Sequence, residues 1–384
     1  MRAFLIKTVL FMLPLAMIIA PPLVVLGLSG EYYPVRSLVA LSQSAHRILI
    51  AEGYSNYVQE YQYTEVVDRT PALVFLGTSR VGEFRSVFVA DPNQAYNAAH
   101  SVAALSDFRH FIQDVPTPPQ VVVAGMDQYF FDPADAKNTT ITRPDPFTTH
   151  SAWWDPFFES LFRNVGWMKV YGDYAQDKFD FSQVFAPAAD PTLIGLRARA
   201  TGDGTTNDGS DYYGSIITST DKQSKALKSI HTLAAAISEV SGDEYGDSIS
   251  PEALAEVRAF LAAARERHVT VIGFLPPVSH EVYTKLRQHA EAPYADTVST
   301  LGPTLQALYR EFGYDFYDFS DITTFNSSDG EMVEAKHGGE KMYLRMFITM
   351  AHASPALRTL TDLPYLERQL ASSTSQYAVF GLQK

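Results

Sequence analysis

A serine, a histidine and a carboxylate together can activate an oxygen nucleophile, and this chain holds a set with suggestive placement. Ser79 stands in VFLGTSRVGEF (Val74–Phe84), just past an apolar run that stops at Gly77. A serine hydroxyl is a weak nucleophile until a base takes its proton during attack. A strand-to-helix turn suits it, because the side chain projects above the sheet and nearby backbone N–H groups can face a developing oxyanion. Gly77 gives the backbone freedom to turn. A serine at this place can equally cap a helix that begins near Val81. EMVEAKHGGEKM, 258 residues after Ser79, puts Glu334 three residues before His337. At that spacing the carboxylate can fold back onto one imidazole nitrogen, leaving the other to take the serine proton. The competing reading is a solvated helix start. His280, just after an apolar run ending at Leu275, is the reserve base.

These residues need a scaffold, and from Pro71 the sequence alternates strand and helix signals. Short apolar runs at Ala72–Gly77, Pro119–Asp127 and Val269–Leu275, with weaker ones at Asn93–Ala99 and Tyr314–Phe319, read as strands. The runs are separated by helix patterns. Val102, Leu105, Phe108 and Ile112 share one helical face. Ser250 and Pro251 open another helix as cap and first turn, and Gly338–Met350 reads as the last helix of the core. The rhythm predicts an α/β fold with a mainly parallel sheet joined by right-handed crossovers. Sites in such sheets gather beyond the carboxyl ends of the strands, which directs attention to 77–80, 97–101, 125–128, 276–279 and the segment after Phe319.

Residues 31–70 read as a helical stalk packed on the main domain, 71–352 as that domain, and 353–384 as a peripheral tail. Within the domain, about 130–246 breaks the rhythm with Asp, Thr, Gly, Pro and aromatic residues and reads as an insertion, not a second domain. Its Asn207–Gly214 stretch, NDGSDYYG, alternates oxygen ligands like a calcium loop but lacks the bidentate glutamate, so a turn is expected and no metal site. Its aromatic residues Phe147, Trp153, Trp154, Phe157, Phe158, Phe162 and Trp167 could line a sugar groove, lie on a membrane face or simply pack the insertion.

The bulk properties narrow the setting. At 384 residues the chain can bury a large core, and 46% hydrophobic with 19% charged residues fits a folded globule. Mean hydropathy near zero excludes a multi-span membrane protein. Val9–Leu28 carries no charge and has the length of a membrane-spanning helix, although Pro21 and Pro22 would kink it. Arg2 and Lys7 precede it, so the positive-inside bias places everything after Gly30 outside the cytoplasm. An uncleaved anchor is favoured over a signal peptide, whose apolar region is usually shorter. With no cysteine there is neither a disulfide framework nor a thiolate metal site. A net charge of −13 argues against nucleic acid as partner.

The GTSR turn after an early strand, and the acidic-x-x-His element near the domain's end, resemble the SGNH (GDSL-like) hydrolase superfamily over roughly Pro71–Met350. The anchor and insertion are similar to membrane-tethered members of the DltD and alginate-acetylation type, which work beside a membrane-bound O-acyltransferase. The resemblance implies a three-layer fold with Ser79 as nucleophile, His337 as base and Glu334 in the acid's position, where the family normally has aspartate. It implies no cofactor and an acyl group, expected to be acetyl, passed to an envelope glycan outside the cytoplasm. Val102 and Met126 stand where hydrolytic members carry the glycine and asparagine of the oxyanion hole. The N–H groups of Ser79 and Arg80, or the side chain of Asn97, are the substitutes. Arg80 could hold an anionic group or form a salt bridge, and Asp127 could orient a site residue or cap a helix. Two further readings stand beside transfer: a plain esterase or deacetylase, and a non-catalytic module binding glycan or partner.

Overall fold

The computed structural model describes residues 1–44, 46–55, 57–133, 147, 151–163, 166–186, 191–237, 248–288 and 294–382. Its strands are β1 (Ile48–Ile50), β2 (Leu73–Leu76), β3 (Ala95–Ala98), β4 (Val121–Gly125), β5 (Thr192–Ile194), β6 (Asp203–Thr205), β7 (Asp211–Tyr213), β8 (Thr270–Leu275) and β9 (Asp315–Asp318). The chain divides into two compact units: Met1–Tyr57 with Ser151–Asn207, and Val58–His150 with Asp208–Gln383.

The larger unit is built on a five-stranded sheet in the order β3-β2-β4-β8-β9, with every pairing parallel. Its central strands are apolar along their whole length because both faces are covered. Leu73, Phe75, Val121 and Val123 face one core, shared with the helices Thr220–Ile237, His280–Gln288, Glu340–Ala353 and Leu363–Ser372. Val74, Leu76, Val122 and Ala124 face the other, shared with Val58–Arg69, Leu105–Asp114, Pro251–Glu266 and Tyr294–Glu311. The architecture is therefore α/β with helices on both faces. From β2 the chain steps out to β3 and then back across to β4, so the crossover direction reverses between β2 and β4. A crevice opens at such a reversal beyond the strand ends.

Two boundaries differ from the sequence reading. The segment after Ser354 is not peripheral: Leu357 and Leu366 are buried in the core, and Glu340 accepts hydrogen bonds from the N–H groups of Val379, Phe380 and Gly381. Nor is 130–246 one insertion, since 151–207 joins the first 57 residues in the smaller unit while the chain from Asp208 belongs to the larger. The expected end of the insertion, near Gly246, lies outside the described residues. The stalk divides as well, because Val58–Arg69 packs on the main sheet.

In the smaller unit β1 pairs in parallel with β5 and antiparallel with β6. The helix Arg2–Ser29 contains Pro14, Pro21 and Pro22, and its Ile6–Ser29 portion is long and apolar enough to cross a membrane. The chain leaves it at Glu31, a fully buried carboxylate that accepts from the N–H groups of Gly53, Tyr54 and Leu196. Beside it Glu52 Oε1 is buried with no hydrogen-bond partner among the described residues. Burial, with the charge of Glu31 added, pushes the Glu52 carboxyl up to about 8 against help from the Ser55 hydroxyl. A raised acid favours the folded state below its unfolded value near 4.5 and loses that advantage as pH rises towards 8. The smaller unit is therefore expected to weaken over this window by about 1.4 kcal/mol per pH unit at most. Glu52→Gln should flatten the dependence and leave the variant more stable than the parent at pH 8. Denaturant unfolding of the full chain at pH 5 and 8, followed by tryptophan emission, checks this, because all three tryptophans lie in this unit.

Candidate active site

Beyond β2 the chain makes a single 3₁₀ turn, Ser79–Val81, where the sequence suggested a longer helix. The turn is capped by Thr78, whose hydroxyl accepts from the Arg80 N–H at 3.2 Å. Ser79 is thus relieved of the capping role that competed with a chemical one. Gly77 serves by its lack of bulk and not by a left-handed conformation, which it does not adopt. A Cβ there would come within 2.8 Å of Val81 Cγ1, and one on Gly125 within 2.6 Å. These two strand ends make the hollow into which Val81 folds, and this curls the turn over the sheet.

Ser79 Oγ lies 2.9 Å from His337 Nε2. The histidine occupies a tight turn closed by the Met332–Gly338 bridge, with the Val333 N–H donating to its own carbonyl at 2.9 Å. The Ser279 N–H donates to Ala335 O, tying this turn to the chain beyond β8. The turn also brings Glu334 Oε1 onto His337 Nδ1, so the helix-start reading of Glu334 and His337 does not hold. A carboxylate on Nδ1 selects the tautomer that carries its proton there, which leaves the Nε2 lone pair for the serine hydroxyl. Burial raises the Glu334 carboxyl, but the hydrogen bond and charge of His337 outweigh it and hold the group below its ordinary value. Glu334 therefore stays an anion facing the imidazole. The His337 side chain is 25% exposed, so water and substrate can reach it.

The structure gives Arg80, Asn97 and Asp127 other work than the oxyanion or substrate contacts expected of them. The Arg80 guanidinium donates to Gln128 Oε1 at 2.8 Å and to the carbonyls of Pro276 and Pro277, and lies 3.3 Å from Asp127 Oδ1. It thereby braces the ends of β2, β4 and β8 from inside. Asp127 accepts from the Thr78 hydroxyl at 2.7 Å, holding the residue before Ser79. Asn97 is fully buried, and its amide donates to the carbonyls of Val81, Gly82 and Phe84 while Oδ1 accepts from the Ala99 N–H. None of its donors is left for an oxyanion. The Arg80 N–H is engaged by Thr78 and the Val102 N–H by Gly77 O, so of the donors the sequence offered the Ser79 N–H is the one that stays in place for this use. Asn97→Asp would set a carboxylate oxygen against three carbonyls. It is expected to cost about 3 kcal/mol or more, measured by denaturant unfolding, and to reduce activity with it.

His280 is not near Ser79 in hydrogen-bonding terms; its Nδ1 pairs with Asp321 at 3.0 Å on the surface. Two site neighbours escaped the sequence reading. His100, at the end of β3, takes a left-handed φ of 64° uncommon for a residue with a side chain, and its Nε2 meets Asp211 Oδ2 at 3.0 Å. Asp211 belongs to the NDGSDYYG stretch, which forms a turn leading into β7. Its N–H donates to Gly82 O at 2.7 Å, and a Cβ on Gly82 would strike its Oδ2 at 2.2 Å, so only glycine permits this approach. Burial raises the Asp211 carboxyl, yet the charge of His100, their hydrogen bond and the charges of His337 and Arg85 hold it low. A second carboxylate thus acts on the imidazole region. His100 lay in a strand-end segment flagged by the topology; Asp211 lay in the NDGSDYYG stretch, whose spacing pointed to a turn and not to this site.

Scanned against models of protein families, the chain matches none, and a search of curated proteins finds no significant match.

Proposed function

We propose that this protein is a membrane-anchored serine acyltransferase of SGNH type, acting outside the cytoplasm. The observation that carries the reading is the Ser79 Oγ–His337 Nε2 contact of 2.9 Å, with Glu334 on the far ring nitrogen, at the carboxyl end of the strand beside the crossover reversal. His337 Nε2 takes the Ser79 proton as Oγ attacks the carbonyl carbon of an acyl donor. The tetrahedral oxyanion faces the Ser79 N–H. Collapse expels the donor's leaving group, which receives the proton from His337, and leaves an ester on Ser79. An acceptor hydroxyl then gives its proton to Nε2, attacks the ester and departs acylated, and His337 returns the proton to Ser79. Atoms and charge balance over the cycle, with Glu334 remaining a carboxylate that stabilises the imidazolium.

The acyl group, an acetyl in the simplest case, would be delivered across the bilayer by a membrane-bound O-acyltransferase, and the acceptor would be a hydroxyl of an envelope glycan. The N-terminal helix, the resemblance of the GTSR and Glu-x-x-His elements, and the two-step character of serine chemistry support this division of labour. The exposure of His337 and Glu334 to solvent favours one second reading, ester hydrolysis, in which water replaces the acceptor.

Mass spectrometry of the full chain, incubated with an acyl donor and its membrane partner, tests the proposal. An acyl adduct on Ser79 that disappears on adding glycan acceptor is expected. An adduct that decays equally fast without acceptor would establish hydrolysis, and no adduct on Ser79 under turnover would refute both.

A further inference from the structure

The smaller unit leaves a band of large aromatic side chains uncovered on and around the segments Asp155–Phe158 and Gly166–Ala175. Trp153 is 72% exposed, Phe162 67% and Tyr174 70%, and Trp154 and Phe158 are about half exposed. The same segments turn their other side chains onto the N-terminal helix, where Phe157, Leu161, Trp167 and Val170 pack with Leu23 and Leu26. A specific bond sets the depth of this packing. Pro22 has no N–H, so the Ile18 carbonyl loses its partner within the helix. The Tyr171 hydroxyl donates to that carbonyl at 2.6 Å.

Ile18 lies 11 residues before the helix end at Ser29, about 16 Å along the axis at 1.5 Å per residue. The whole 28-residue helix is about 42 Å long, against a hydrocarbon core of about 30 Å. Sharing the surplus between both ends leaves Ile18 about 10 Å inside the core boundary. A carbonyl there has no water to bond, which gives the Tyr171 contact its physical reason. It also means that the segments holding Tyr171 cannot stand clear of the bilayer the helix crosses.

We propose that residues 153–163 and 166–175 form a lipid-facing collar, seated in the outer interface of the same bilayer, with its exposed rings against headgroups and acyl chains. Tryptophan and tyrosine are the residues that belongs to this layer, and the exposed Lys169 can extend towards phosphates. The partner is phospholipid. A sugar groove would not require aromatic side chains to share the depth of a membrane span. The inference rests on the span and not on the acyl-transfer reading, so either can fail alone.

Trp153, Trp154 and Trp167 are all the tryptophans in the chain, so the intrinsic emission of the unaltered protein reports on this segment. The full chain is reconstituted into phosphatidylcholine nanodiscs whose acyl chains carry bromine either near the glycerol or near the chain ends. Loss of most of the emission with the shallow bromines, less with the deep ones, and weak quenching by aqueous iodide are expected. Quenching by iodide with none by bromolipid would overturn the proposal by placing the rings in water. Quenching by neither would overturn it in favour of a protein, including a second copy, covering the face. Trp167→Phe removes the half-buried ring and is expected to leave the bromolipid pattern intact; a pattern lost with Trp167 would also refute it.

Discussion

Ser79→Ala is expected to lower turnover at least ~10⁴-fold while leaving the fold intact. Among the described residues the hydroxyl's contact is with His337, whereas the turn around it is held by others: Thr78 by Asp127, Arg80 by Gln128 and two carbonyls, and Val81 by the hollow beside Gly77 and Gly125. Removing one oxygen therefore takes away the attacking atom and little packing. Rate measurements on an activated acyl ester, with a thermal melt alongside, separate chemistry from stability. A variant that melts with the parent and still turns over within tenfold would exclude Ser79 as nucleophile. Unchanged envelope acylation by the same variant in cells would favour the binding-module reading.

Glu334→Gln should reduce kcat by about 10²–10⁴ with KM little changed, because the lost group acts on the imidazole and not on bound substrate. In the proposed mechanism, an amide opposite Nδ1 would no longer balance the positive charge that His337 acquires during attack. Glu334→Asp retains the charge on a shorter side chain and is expected to recover part of the rate, which a purely structural role would not predict. The carboxyl is held below its ordinary 4.5 in the folded state, so its contribution to stability is complete above that value and is lost as pH falls through the lower folded value. Unfolding measured across pH 3–6 should show this loss in the parent and not in Glu334→Gln. Equal acid sensitivity of the two would mean that the His337 contact does not hold the charge.

The parallel sheet was readable in the sequence for a physical reason. Strands covered on both faces must be apolar at every position, so Leu73–Leu76, Val121–Gly125 and Thr270–Leu275 announce themselves without long-range information. With strand ends located, the candidate positions followed, and Ser79 beyond one of them was among the candidates. Glu334 and His337 could be paired because their separation of three residues lets a local turn join them.

Other features were decided only in three dimensions. Arg80, Asn97 and Asp127 stand at the right strand ends, but whether a polar side chain faces substrate or the protein depends on which carbonyls and carboxylates the fold leaves nearby. Those come from Pro276, Gln128 and the 81–84 turn, far apart in sequence. His100 and Asp211, 111 residues apart, meet because Gly82 lets a distant loop approach. The smaller unit is held by β1 and β5, three residues each and nearly 150 apart. Runs that short carry too little pattern to name a partner. Sequence specified the elements of the larger sheet, since burial imprints a local pattern on each; tertiary structure made the short strands of the smaller unit and chose every pairing, since those depend on fit between pieces that no local pattern records.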